Sequence, residues 1–366
     1  MKSTNPSTNP PRADGGQAAP AELSARKQGC WTIISLAIAA LSVWAVASQW
    51  KGFSLQRFLD AVASADKRWL AAGVLAMLGF VLFEGRAVRC ACHALHYDVS
   101  PGKGIGYAAA DIYFSAITPS ASGGQPACAY LMMRDGIPGI VATAALLNTL
   151  AMYSLSILVL GVVCLALRAP VLARFGTPSL ILIGLGLVAQ IALAIFFWLL
   201  VHSERLLEKL CRGVLTLLSK LRLVRHVEKR RRQLEAHMEE YRRCASLLGG
   251  HRAMLIQSFV YNLLQRASQV AVPMFVYLAM GGAPGRAADL FATQALVVIG
   301  SNCVPVPGAM GVADYLMLDG FGGLLPPDQV IHLELLGRAL SFYCCVLLCG
   351  LLVLAIIRRK RKAVEP

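Results

Sequence analysis

Two stretches decide the fold: Thr118-Pro-Ser-Ala-Ser-Gly-Gly-Gln-Pro126 and Gly300-Ser-Asn-Cys-Val-Pro-Val-Pro-Gly-Ala-Met-Gly311. Each interrupts an uncharged run, 112–133 or 290–313, long enough to cross a bilayer. Proline removes a helical N–H and paired glycines are poor helix formers, so neither run reads as one straight span. Before each break about 12 residues remain, roughly 18 Å of helix against a hydrocarbon core of about 30 Å. A half-length helix followed by a break can reach the midplane and turn back. Both stretches are therefore expected to be re-entrant hairpins, at about 105–135 and about 287–320.

The rest of the chain agrees with a membrane setting. It has 366 residues, 57% hydrophobic and only 15% charged, where soluble domains carry about 25% charged residues. Residues 28–50, 136–167, 175–203 and 339–357 contain no Asp, Glu, Lys or Arg. Six full spans are expected, at roughly 30–50, 69–90, 138–167, 178–202, 253–280 and 332–357. A soluble enzyme and a secreted disulfide scaffold are excluded. The eleven cysteines mostly fall inside or beside apolar runs and read as small buried hydrophobes. The expected fold class is an all-α polytopic membrane protein, six spans with two re-entrant hairpins in an inverted repeat.

Charge gives an independent test of that count. Segment 203–252 holds 13 Lys/Arg against 6 Asp/Glu, and residues 358–362 are Arg-Arg-Lys-Arg-Lys. The positive-inside rule places both in the cytoplasm. Two full spans and the 290–313 stretch lie between them, so they share a side only if that stretch turns back. The same parity holds for the N-terminus, although loop 51–68 with Lys51, Arg57, Lys67 and Arg68 would then lie outside. Both termini are expected in the cytoplasm. The chain then divides into a disordered segment 1–28 and a first membrane half 29–202. Basic amphipathic helices over 203–252, a second membrane half 253–357 and a basic tail 358–366 follow. No removable signal peptide is expected in residues 1–28.

A duplication fits this layout. Tyr130-Leu-Met with Asp135-Gly136 recurs as Tyr315-Leu-Met with Asp319-Gly320, an offset of 185 set by Tyr130 and Tyr315. The offset carries the second span onto the fifth and the third onto the sixth, and the copies would run in opposite senses. Inverted repeats with broken helices at the midplane are a transporter signature.

Behind each break a second half-helix is expected, starting near Pro126 and near Val312. Its free N–H groups and positive end attract an anion such as a lipid phosphate. Ser122, Gly123, Gly124 and Gln125 at the first break are candidate substrate-binding residues, as are Pro307, Gly308, Gly311 and Asp314 at the second. Ionisable residues within spans are expensive and mark function. They add Glu84, Arg86, Arg266 and Arg338 to the candidates. Arg266, midway through the fifth span among Asn262, Gln265 and Gln269, can grip a phosphate in a fork. Its alternative role is structural, as a partner for Glu84 or for Asp314, which could balance it in an empty site. Glu334 can pair with Arg338 four residues on. Arg86 and Arg89 also suit snorkelling to the interface.

Chemistry-bearing motifs are weak. Cys90-Ala-Cys92-His93-Ala-Leu-His96 lacks a second cluster to complete a metal site, and Gly102-Lys-Gly-Ile-Gly106 is no phosphate loop. Without a Walker A or hydrolase motif, no enzyme activity, metal or cofactor is expected. The basic 204–248 segment suits anionic head groups rather than nucleic acid.

The first break, Asp111 to Tyr130 with Arg134-Asp-Gly-Ile137, resembles the first hairpin of the lysylphosphatidylglycerol synthase transmembrane-region family, the flippase-like membrane proteins. Pro307-Gly-Ala-Met-Gly-Val-Ala-Asp314 is similar to its signature Pro-Gly-Gly-x-Gly-x-x-Glu, with Ala309 for Gly and Asp314 for Glu. Arg338 with Phe342-Tyr343 resembles the pattern of its last span. The resemblance covers about 30–360. It implies a cell-membrane protein that moves a phospholipid or glycolipid between leaflets. The synthase's aminoacyl-transferase domain is not expected here, so its activity is not inherited. The runner-up is a non-transporting partner that recruits or regulates a lipid- or envelope-modifying enzyme. Partners implied are membrane lipids with anionic head groups, a lipid-modifying enzyme or a second copy of the chain.

Overall fold

The computed structural model describes residues 62–118, 121–202, 206–210, 212–213, 216, 227–303 and 311–362. The expected first span, 30–50, lies outside the described residues. Within them the chain is all helical: α1 Lys67–Ala94, α2 Pro101–Ile117, α3 Gly124–Arg134, α4 Gly139–Leu167, α5 Thr177–His202 and α6 Val227–Gly250. There follow α7 Arg252–Ala279, α8 Ala287–Ser301, α9 Val312–Gly322, α10 Pro327–Arg338 and, after a π-helical turn Ala339–Cys344, α11 Cys345–Lys362.

Among the described residues, four stretches are long and apolar enough to cross a membrane: α1, α4, α5 and the continuous run from Pro327 through Ile356. α7 equals α1 in length, but Asn262, Gln265, Arg266 and Gln269 at its centre dilute its apolarity. It nevertheless lies along α1 from end to end. Asp66 N donates to Ala279 O (2.7 Å), Trp69 stacks on Phe275 (6.2 Å), and Cys90 Sγ reaches Gln257 Oε1 (3.3 Å). Residue numbers rise on one helix as they fall on the other, so the pair is antiparallel. The chain is thus an all-α polytopic membrane protein.

Its packing suits lipid rather than water. α2 buries Gly104, Gly106, Ala108, Ala109 and Ala110, and α4 buries Ala142, Ala144, Ala145 and Ala151. Large apolar side chains such as Leu75, Leu167, Leu185, Val188, Leu347 and Leu351 face outward. Lipid tails are as apolar as leucine, so association rests on close packing of small faces.

The order α1–α2–α3–α4 is repeated by α7–α8–α9–α10/α11, and the 185 offset places the bounds of α1 on those of α7. Val81 and Arg266 are equivalent under that offset. The antiparallel register also sets them opposite each other, so Arg266 sits beside the two-fold pseudo-axis between the halves.

Each break is a helical hairpin. Tyr107 Oη donates to Asp135 Oδ2 (3.0 Å) near the mouth of the first, and Gln125 Nε2 donates to Asp111 Oδ2 (2.7 Å) near its tip. In the second, Gly320 approaches Thr293 and Gly300 approaches Leu316, so α9 returns along α8. Leading arms of 17 and 15 residues are longer than the expected 12. Ser100 and Pro101 start α2 well before the uncharged run begins, because Oγ of Ser100 accepts from Lys103 N (3.4 Å). Pro126 is the third residue of α3 rather than the first; its missing N–H still falls among those with no intrahelical partner.

The duplicated Asp-Gly pairs fasten the hairpin mouths. Asp135 accepts from Tyr107 and faces Lys103 Nζ (3.7 Å), while Asp319 Oδ2 accepts from Gly176 N (2.8 Å). The short turn Ala169–Arg174 is held there too, because Arg174 Nη2 pairs with Asp289 Oδ2 (2.8 Å). The two mouths open at opposite ends of α1 and α7, so the breaks point toward each other. α6 docks its last turns at the end where α5 finishes, burying Tyr241, Cys244 and Leu248, with Tyr241 Oη donating to Leu200 O (3.0 Å).

Candidate functional site

A cavity of about 770 Å³ lies where the breaks meet, lined from both hairpins and from the centre of α7. Glu84, Ser122, Gln125, Arg266 and Arg338 line it, together with Asp111, Tyr153, Gln190, Gln265, Gln269 and Gln294. Its size falls within the roughly 300–1,000 Å³ of small-ligand sites.

Arg266 is the charge at its centre. The side chain is 8% exposed, and its guanidinium lies over the rings of Tyr153 (4.2 Å to the centroid) and Phe80 (5.2 Å). Nη1 donates to Gln269 Oε1 (2.5 Å), whereas Nε is buried with no hydrogen-bond partner. Stacking on an aromatic face stabilises a desolvated cation while leaving its in-plane N–H edge open to an acceptor. No carboxylate forms an ion pair with Arg266 among the described residues. The expected balance by Asp314 is therefore not what the geometry holds.

Asp314 pairs with Arg338 instead. Its other oxygen, Oδ2, accepts from Gly311 N (2.9 Å), closing the start of α9, where Gly311 has φ +78°. Glu334, four residues before Arg338, also meets the Asp314 carboxyl. The expected Glu334–Arg338 partnership is thus replaced by a contact that ties the second half-helix to the last span. The π-helical turn begins directly after Arg338, and its Ser341 and Phe342 line the cavity. A π-turn within a span re-aims side chains and is common at functional sites.

At the first break the protein again supplies its own anion. Asp111 lies against the first turn of α3; Ser115 Oγ donates to its Oδ1 (3.2 Å) and Gln125 Nε2 to its Oδ2. Thr118 Oγ1 accepts from Gly123 N (2.8 Å) and donates to Phe114 O (2.6 Å), closing the turn. A Cβ on Gly124 would overlap the Asp111 side chain, Ser115 Oγ and the Asp111 carbonyl. Gly124 therefore serves the approach of the two arms rather than an open anion site. Overpacking there forces the arms apart: Gly124→Ala is expected to destabilise the protein by about 1–3 kcal/mol, read as a lower melting temperature in detergent. A melting temperature equal to that of the unchanged protein would contradict this packing.

The remaining sequence candidates separate. Arg86 is exposed on the outer face of α1, away from the cavity, and Arg89 Nε holds Val99 O (2.7 Å). Gly123 sits in the turn at the break and Gly311 at the start of α9. Pro307 and Gly308 lie outside the described residues. Tyr153 and Gln190 were not singled out from sequence. Gln190 was within reach, as the lone amide side chain of the 175–203 run. Its Nε2 donates to Ser154 O (3.1 Å) across the α4–α5 contact. Nothing in a single sequence marks Tyr153 as the ring beneath Arg266.

The family model described as Lysylphosphatidylglycerol synthase TM region matches residues 32–349, so the chain belongs to that family and is a membrane protein of its lipid-related, flippase-like type. No curated protein matches the chain.

Proposed function

From that membership, we propose that the chain carries an anionic phospholipid or glycolipid head group between the leaflets of the cell membrane, through the cavity between two re-entrant hairpins. The observation that carries the reading is Arg266: a buried cation near the pseudo-axis, stacked on Tyr153, with Nε unpartnered inside a cavity lined from both breaks. A head-group anion crossing the midplane loses its hydration and needs such a partner. Gln125, Gln265 and Gln294 each have a buried side-chain carbonyl oxygen without a partner. These amides suit the hydroxyls of a glycerol or sugar head group. Inverted repeats that meet at the midplane are the general arrangement for alternating access.

The end holding the start of α7 and the basic run 358–362 is assigned to the cytoplasm by its Lys/Arg excess, with both termini on that side. A second copy or a lipid-modifying enzyme would dock around the basic 203–252 region. No chemical step is assigned to the chain.

Reconstitution in liposomes with labelled phosphatidylglycerol, phosphatidylcholine and a glycolipid tests the reading. Loss of the inner-leaflet label to a membrane-impermeant quencher should be faster than in empty liposomes for the anionic lipid. Equal rates for all lipids with and without protein would overturn transport and favour the recruiting role. Re-entry has its own test. Cysteine at position 134, in a cysteine-free background, is expected to react with an impermeant reagent from the cytoplasmic side. Reaction only from the opposite side would mean eight crossings.

A further inference from the structure

The cavity contains a second charged feature that lipid recognition by Arg266 leaves unexplained. Glu84 of α1 and Asp111 of α2 are within hydrogen-bonding reach of each other. Glu84 is 6% exposed, and its Oε2 accepts from Gln265 Nε2 (2.8 Å). Asp111 is fixed by Gln125 and Ser115 on its two oxygens. A carboxyl–carboxyl hydrogen bond needs a proton on one partner, because two adjacent carboxylates in a low dielectric cannot both stay ionised. The pair is therefore built to hold a proton at membrane depth.

The groups facing it define its charge balance. Arg266 on α7 is the cation that acts on both carboxyls. The thiols of Cys128 on α3 and Cys349 on α11 are also close enough to act on the pair, and the Tyr153 phenol of α4 lies under Arg266. With one proton on the pair, its remaining negative charge offsets Arg266 and the cluster is neutral. An anionic head group bound to Arg266 would leave one uncompensated negative charge in a medium where that is costly. A second proton on the pair restores neutrality.

We infer that the Glu84–Asp111 pair takes up a proton from solution when an anionic head group binds at Arg266, coupling lipid movement to the proton gradient. The inference rests on the transport reading above and deepens it by naming an energy source. Coupling is reciprocal: lipid binding favours protonation of the pair, and protonation favours lipid binding. No bond other than that to the proton forms or breaks.

The test is calorimetric titration of the full chain, in zwitterionic-detergent micelles, with short-chain phosphatidylglycerol in two buffers of different ionisation enthalpy. The difference in heat should correspond to about one proton taken up per lipid bound. The Glu84→Gln/Asp111→Asn variant should bind without uptake. If that variant does not fold, Asp111→Asn alone, which keeps an amide partner for Gln125, should show reduced uptake. Binding with the same heat in both buffers would overturn the coupling and leave transport standing, as would undiminished uptake in the neutralised variants. Absence of phosphatidylglycerol binding would overturn the transport reading and this inference together.

Discussion

Arg266→Ala is expected to slow translocation of an anionic lipid in proteoliposomes about 100-fold or more, while the protein remains folded. The argument is energetic. Two charge-assisted hydrogen bonds to a head-group oxygen pair are each worth roughly 1.5–3 kcal/mol, and about 1.4 kcal/mol changes a rate tenfold. Nε is unpartnered and one face of the guanidinium rests on Tyr153, so the truncation breaks no direct ion pair, and a second proton on the Glu84–Asp111 pair keeps the cluster neutral without Arg266. Size-exclusion profiles and melting temperature should therefore change far less than the rate. Arg266→Lys should restore only part of the activity, because an ammonium lacks the planar fork and stacks less well. Tyr153→Leu should fall between the two, since the ring holds the cation but does not touch the anion. Unchanged translocation in well-folded Arg266→Ala protein would remove Arg266 from the site and strengthen the recruiting role.

The second large effect belongs to stability. Removing both Asp314 and Glu334 by alanine should destabilise the protein by roughly 3 kcal/mol, the lower end for orphaning a buried charge. Asp314 is still 33% exposed, which keeps the value from rising higher. Asp314→Ala alone should cost less, about 1 kcal/mol, because Glu334 lies one helical turn before Arg338 and can take its place. The start of α9 also loses its contact to Gly311 N. Adding Arg338→Gln to the double variant should recover much of the loss, since no unpaired charge then remains. Thermal unfolding in detergent measures all four proteins. A double variant as stable as the unchanged protein would mean that this cluster does not anchor the second hairpin.

The two predictions draw on different amounts of sequence information. Arg266 stood out because an ionisable residue near the middle of a span is rare, and its flanking amides marked the same region. The partnership of Asp314 did not. Local spacing favoured Glu334 with Arg338, four residues apart, and charge balance favoured Asp314 with Arg266. Both arguments are sound for isolated pairs, and both give way to the path of the backbone after Gly311. That path carries Asp314 up to the last span at Arg338. The break residues show the same limit. Free N–H groups at a half-helix start call for an anion, and the physics holds, but Asp111 from the facing arm already supplies one.

Membrane class, the four long apolar helical stretches and the two interruptions were legible in the sequence alone. They depend on local quantities: the free energy of placing each residue in hydrocarbon, and the inability of proline and paired glycine to continue a helix. The offset of 185 was legible too, because repeat units carry their own helix signals. Only the tertiary structure decided which carboxylate meets which cation, that Gly124 is a contact rather than an opening, and that Tyr153 lies beneath Arg266. Those facts depend on residues of different helices meeting at a few ångströms, across a turn for Gly124 and Asp111, between α9 and α10 for Asp314 and Arg338, and between α4 and α7 for Tyr153 and Arg266. They also depend on a register between α1 and α7 that many helix pairings could satisfy. A difference of one helical turn in that register would move Arg266 about 5 Å along the pair and away from the pseudo-axis.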